Sequence, residues 1–377
     1  MTPLIRATIS RAALRHNLRL IRRLSRPAQI CAMVKANAYG HNALLVTRAL
    51  AGMADTWGVA TLSEAVELRE HGLREPILVF CPFDDYFPNA RARREALDAI
   101  LEHRLQPVVT NASSLTLLAR HARRRQSELA VHIKVDTGMG RSGCMPEELL
   151  PLLRQAADIP GLHVVGFCSH FAAADTANLT SARQQLRLFT QLATSAAAAG
   201  LRPPLLHLAN SAAIFNLPDA HWDMVRPGIA LYGYADKHIR GSTALRPVLE
   251  MYSPVVMTKR LPRGHACGYG ATFTANRPTR IGLVYVGYAD GYDRRLSNTG
   301  VVDFDGRRAP VVGRVSMDAI IVDITGIQGV EIGSQARIIS ARRSDPHSVE
   351  ALARQLGTIP HEITCSLGGR VQQSLVA

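Results

Sequence analysis

The feature that most constrains the fold of this 377-residue chain is an alternation running through its first 235 residues. Short apolar runs fall at 30–34, 57–60, 77–81, 107–110, 130–135, 163–168, 205–208 and 224–225. Between them, stretches such as 63–71 and 112–123 return an apolar residue every three or four positions. A strand that is apolar throughout is covered on both faces, and helices crossing between parallel strands cover a sheet in that way. Eight such runs in about 235 residues match the size and strand count of a (β/α)8 barrel. Periodicity alone leaves a doubly wound open sheet standing as the alternative.

After Tyr234 the texture changes. Strand-like runs at 249–259, 280–286, 300–305, 309–315, 319–324 and 336–339 are separated by Gly, Asp and Pro turns, and only 348–356 has helical spacing. Short strands at regular spacing predict a β-rich second domain. The boundary is expected near residues 235–245, dividing the chain into 1–236 and 237–377.

Composition removes several classes of function. At 47% hydrophobic residues the chain can bury a large core. No apolar run approaches the length of a membrane-spanning helix, and the first ten residues lack the apolar stretch of a secretory leader. The cysteines at 31, 81, 144, 168, 267 and 365 are scattered, with no Cys-x-x-Cys. That spacing predicts reduced thiols in the cytoplasm, with neither a disulfide frame nor a metal site. The formal charge of +14 invites a nucleic-acid partner, but the arginines are spread along the whole chain and aromatics are only 5%. No nucleic-acid or membrane partner is expected. Of 44 cations only Lys35, Lys134, Lys237 and Lys259 are lysine. Base composition explains the arginine excess, yet arginine can neither form an imine nor readily lose its proton, so four lysines make a short list.

Lys35 ends the first apolar run, and a barrel places its chemistry at the C-terminal ends of its strands. A lysine held among apolar walls has a lowered pKa, which suits imine chemistry. Later strand ends point to the same face: Lys134 to Arg141 after the fifth, His170 after the sixth, Ser211 after the seventh, and Arg226-Pro227-Gly228-Ile229 after the eighth. Loops after the last two strands are where barrels bind phosphate. A lysine facing a phosphate site, with an arginine beside it, is a layout suited to pyridoxal phosphate.

Eight ordered motifs then make the chain recognisable. They are Val-Lys-Ala-Asn-Ala-Tyr-Gly-His, Lys-Val-Asp-Thr-Gly-Met-Gly-Arg, Ser-His-Phe, Ala-Asn-Ser, Arg-Pro-Gly-Ile, Gly-Tyr-Gly-Ala-Thr, Gly-Tyr-Ala-Asp-Gly-Tyr and Val-Gly-Arg-Val-Ser-Met-Asp. Together they closely resemble alanine racemases, from residue 34 to 318. The resemblance implies a homodimer of barrel-plus-β-domain chains with shared active sites, in which residues 4–10 pair with the second domain. It implies that Lys35 carries pyridoxal 5'-phosphate as an imine and is one of two acid–base groups. Tyr269 would be the other, reaching the partner's site. Racemisation needs such a pair, because a proton must be taken from one face and returned to the other. A phenol ordinarily titrates near pH 10, so this role needs a cationic neighbourhood, which His170 and Arg226 would supply.

Arg226 matches the family's partner for the pyridine nitrogen; because arginine keeps its proton, the ring would be a weaker electron sink and transamination disfavoured. Tyr39, Ser211, Gly228 and Ile229 match the phosphate contacts. Arg141 would bind the cofactor's phenolic oxygen and the substrate carboxylate, and Met317 would offer that carboxylate its backbone N–H. Lys134 occupies a position often carbamylated in the family, and Tyr288 would lie near the entrance. The chain departs from the pattern at His361, where members usually carry tyrosine, and at Asn42 and Asp293. The first reading is therefore an alanine racemase, an isomerase supplying D-alanine for peptidoglycan. His361 leaves as alternative a broad-specificity racemase accepting serine or basic amino acids. A non-catalytic cofactor carrier would have no use for Tyr269, and a decarboxylase would prefer an acid in place of Arg226.

Overall fold

The computed structural model describes residues 4–81, 87–236 and 238–377; Lys237 lies outside them. Eight parallel strands form the first unit: Gln29–Met33, Thr56–Val59, Ile77–Val79, Gln106–Val109, Leu129–Lys134, Leu162–Cys168, Leu205–His207 and Met224–Val225. Strands one to seven pair in chain order, and the eighth returns to the first through Gln29 opposite Met224. The seventh and eighth are joined by hydrogen bonds from Asp223 N to Leu206 O and from Arg226 N to Ala209 O, with a bridge between Asn210 and Arg226. This nearly closed ring decides against the open sheet.

The helices between the strands follow from their sequence. In Arg11–Ser25, Leu14, Leu18 and Ile21 return to one buried face, and the Ser10 hydroxyl caps the start by accepting from Ala13 N. Thr61 and Glu64 form a capping box that starts Leu62–Glu70.

The second unit is an eight-stranded sheet in which the long strand Leu249–Leu261 pairs with three others. The sheet also includes Arg6–Ser10, which lies antiparallel to Leu249–Leu261 on one side and parallel to the edge strand Gln372–Val376 on the other. The chain therefore starts in the β-sheet, crosses into the barrel, and returns. Three local features differ from the sequence expectation. The run at 309–315 yields only the strand Arg307–Pro310, followed by a single bridge at Val311. A helix at Pro360–Cys365 is only six residues long, too short for a periodic signal, although Pro360 is well placed in its first turn. The strand Gln372–Val376 alternates exposed and half-buried residues and carries no apolar run.

Between Lys35 and Gly40 the backbone makes a left-handed turn. Ala36, Asn37, Ala38 and Tyr39 all have φ between 51° and 56°, and none is glycine. Each such residue costs roughly 1–2 kcal/mol relative to the right-handed region, so this turn is held in place by its surroundings.

Candidate active site

A cavity of about 880 Å³ opens at the C-terminal ends of the barrel strands. The structure brings Lys35, Tyr39, Lys134, Arg141, His170, Ser211, Arg226, Gly228 and Ile229 together along its walls. Four of these are cations, whereas the acids on the lining are Asp175 and Asp236. Burial, reinforced by Arg141, lowers the pKa of Lys35 below the ordinary lysine value. Its Nζ lies 5.9 Å from the centre of the Tyr39 ring. Burial pushes the Tyr39 phenol up, so Tyr39 stays a neutral hydroxyl.

The loops after strands seven and eight are tightly fitted. The Ser211 hydroxyl accepts from Gly228 N at 2.8 Å and Ala230 N at 3.2 Å. A Cβ at Gly228 would fall 2.4 Å from Tyr39 Oη, so only glycine lets the phenol lie against this loop.

Arg226 is 4% exposed and reaches no carboxylate among the described residues. Its Nη1 donates to His207 O at 2.8 Å and to His207 Nδ1 at 2.7 Å. Its Nη2 donates to Ser169 O at 2.6 Å and faces His170 Nδ1 at 3.3 Å. A guanidinium only donates, so both imidazoles must present a lone pair at Nδ1 and keep their proton on Nε2. His207 Nε2 then donates to His132 Nδ1 at 2.9 Å. Burial and the Arg226 charge hold all three histidines neutral, His132 down to about 3. Arg226 Nε takes part in none of these bonds.

Asp136 shapes the loop that presents Arg141. Its carboxylate accepts from Gly138 N, Met139 N and Arg141 N at 2.7 to 3.0 Å. Burial opposes its charge, but these N–H groups outweigh burial and hold it below the usual carboxylate range. Lys134, 7% exposed, donates to Ser142 Oγ at 2.5 Å and has no ion-pair partner among the described residues. Burial lowers its pKa. His361 and Cys365, one turn apart on Pro360–Cys365, also line the cavity, and the His361 ring lies 5.7 Å from that of Tyr39.

Three predicted residues are elsewhere. Tyr269, Met317 and Tyr288 do not line this cavity; they are exposed on the β-domain, Tyr269 to 71%. The 268–272 turn that carries Tyr269 lies against Gly313 and Arg314, and Met317 O accepts from Ala289 N. Sequence reasoning missed His132, His207 and Asp136. The signal available for the two histidines was an imidazole inside an otherwise apolar strand. Among the described residues, no group of three or more His, Cys, Asp or Glu side chains is arranged to hold a metal ion. No helix there is long and apolar enough to cross a membrane.

Residues 9–236 match the model for the alanine racemase N-terminal domain, and residues 248–375 match that for the alanine racemase C-terminal domain. The chain belongs to the alanine racemase family. It is 39% identical over 363 residues to alanine racemase 1 of Caldanaerobacter subterraneus subsp. tengcongensis, covering 95% of this chain and 91% of that one. The alanine racemase of the D-cycloserine producer Streptomyces lavendulae superposes with a TM-score of 0.91 at 32% identity, covering 100% and 98% of the two chains. The Bartonella henselae alanine racemase, solved with covalently bound pyridoxal phosphate, superposes with a TM-score of 0.85 at 31% identity over 100% of both chains. The barrel followed by a β-rich domain is thus the alanine racemase architecture, and family membership makes the protein an amino-acid racemase.

Proposed function

We propose that this protein interconverts L- and D-alanine with pyridoxal 5'-phosphate, as a cytoplasmic homodimer whose sites are each completed by the partner's Tyr269. The observation that carries the reading is the cavity itself: four cations, with Lys35 among them, around a loop where glycine alone fits. A strongly cationic cavity suits a ligand bearing a phosphate and a carboxylate.

The residues fit the cofactor. Lys35 would hold it covalently; Tyr39, Ser211 and the backbone of Gly228 and Ile229 would hold the phosphate. Arg226 Nε would face the pyridine nitrogen, and Arg141 the phenolic oxygen. Bound pyridoxal phosphate supplies an electron sink that makes the substrate α-proton acidic.

The rest of the chemistry falls to side chains. Burial and Arg141 shift Lys35 towards its neutral amine, the form that would take the α-proton from one face. A racemase also needs a group on the opposite face, and the described lining of this cavity offers no exposed phenol for it. Tyr269, exposed on the β-domain, is suited to enter a second copy's cavity. His170, held neutral rather than cationic, would offer that phenol its Nε2–H, the tautomer set by Arg226 at Nδ1. Arg141 and the backbone N–H of Met317 would hold the substrate carboxylate. Lys134 is a buried cation near Arg141 and Arg226 with no ion-pair partner among the described residues, and carbamylation would turn it from +1 to −1 and steady Arg141. The relatives are named alanine racemases, and nothing in the site favours the broad-specificity alternative.

Purified protein supplied with pyridoxal phosphate should abolish the optical activity of either alanine enantiomer while deuterium from solvent enters the α-position. Retained optical activity with both enantiomers would contradict the reading.

A further inference from the structure

We infer that His41 is a positioning residue for Lys35 and Tyr39, acting through the left-handed turn between them. The inference rests on the reading of the cavity as a pyridoxal phosphate site. Lys35 enters this turn and Tyr39 ends it, and both side chains line the cavity. The four residues from Ala36 to Tyr39 are all left-handed without a glycine among them, so the turn persists only where its neighbours hold it.

Glu64 and His41 are two of the side chains that do so. At the start, Ala36 N donates to Glu64 Oε1 at 2.6 Å. At the end, the Ala38 carbonyl accepts from His41 N and from His41 Nδ1, each at 3.0 Å. A carbonyl only accepts, so Nδ1 carries the proton of this buried neutral ring. The ring stacks on Tyr232 at 4.5 Å and 15° between planes, and Tyr232 Oη donates to Met33 O at 2.7 Å. Met33 ends the strand that delivers Lys35. The loop Met33–Tyr232–His41–Ala38 is therefore closed by contacts, and His41 is the link that fixes the turn's carbonyl. If His41 served packing alone, a flat hydrocarbon ring would replace it; a positioning role requires the N–H.

The test titrates apoprotein with pyridoxal phosphate and follows the visible absorption band of the bound cofactor. His41→Phe keeps a ring on Tyr232 and removes the N–H; it should weaken cofactor affinity about tenfold. Adding Ala36→Gly should restore affinity to within about threefold, because glycine adopts the left-handed region without strain. A packing defect at position 41 would not be repaired from exposed position 36. Asn37→Val, at an exposed left-handed position outside the cavity lining, raises the cost of the turn and should also weaken affinity about tenfold with an unchanged far-ultraviolet spectrum. Wild-type affinity in His41→Phe, or a double variant no better than the single one, would overturn the inference. Should His41→Phe fail to fold, wild-type affinity in Asn37→Val overturns it. Wild-type apoprotein that takes up no pyridoxal phosphate would instead sink the functional reading.

Discussion

Lys35 shares its cavity with three other cations, and burial there, reinforced by Arg141, lowers the pH at which its amine can act. A lysine ordinarily titrates near pH 10.4. Burial and Arg141 lower that value, so the neutral amine appears at lower pH and grows as pH rises through the lowered pKa. The rate at which apoprotein binds pyridoxal phosphate covalently should therefore rise with pH and reach half its plateau below the ordinary lysine range. A midpoint at or above that range would contradict the assignment. At this scale the sequence was informative wherever chemistry sits at a strand end, as with Lys35, Lys134 and Arg226. It was silent on His132 and His207, because an imidazole inside a strand has the same local pattern whether it packs or relays a hydrogen bond. Only the curvature of the ring makes His132, His207 and Arg226 a chain: strands five and seven flank strand six, where Gly166 leaves the two imidazoles adjacent. That adjacency is a property of the closed ring rather than of any segment.

The helix Pro360–Cys365 and the turn after Lys35 belong together, although neither was legible as an element. The turn lacks the glycines that would announce left-handed backbone, and the helix is too short to show a period. Their contact is at Gly40, where a Cβ would fall 1.9 Å from the Thr364 carbonyl oxygen and where φ is +79°. Gln373 Nε2 donates to Gly40 O at 2.7 Å from the final strand, so the β-domain grips the turn on a second side. Gly40→Ala should cost at least about 2 kcal/mol, from backbone overlap and left-handed strain together. It should also push His361 and Cys365 away from Lys35. A urea midpoint matching wild type would show that the helix moves aside freely, contrary to this packing. The long strands, by contrast, were legible because each buries both faces or alternates over several residues.

On the scale of the whole molecule, the barrel carries a group of histidines that folding keeps neutral. Burial lowers His41 to about 4 and His132 to about 3, and it also lowers His170 and His207. In the unfolded chain they would titrate near 6.5. As pH falls below that, the unfolded chain binds protons that the folded chain refuses. Stability is therefore full above about pH 6.5 and declines by up to about 1.4 kcal/mol per pH unit for each histidine, down to its folded value. Urea midpoints should fall between pH 7 and pH 5; a flat profile would contradict neutral burial. The division into a barrel and a β-rich unit was legible from the change of texture after Tyr234. The proposed sharing of one site between two copies was not, since Tyr269 carries no local mark of where it points. The family resemblance implied that sharing, and the exposure of Tyr269 away from the cavity is consistent with it. One measurement tests it most directly. Lys35→Ala and Tyr269→Phe, each inactive as purified, are mixed, dissociated and reassociated with pyridoxal phosphate. A hybrid dimer then holds one site with both residues intact, and racemase activity should return to about a quarter of wild type. Activity that stays at the level of the two separate variants would contradict a site built from two chains.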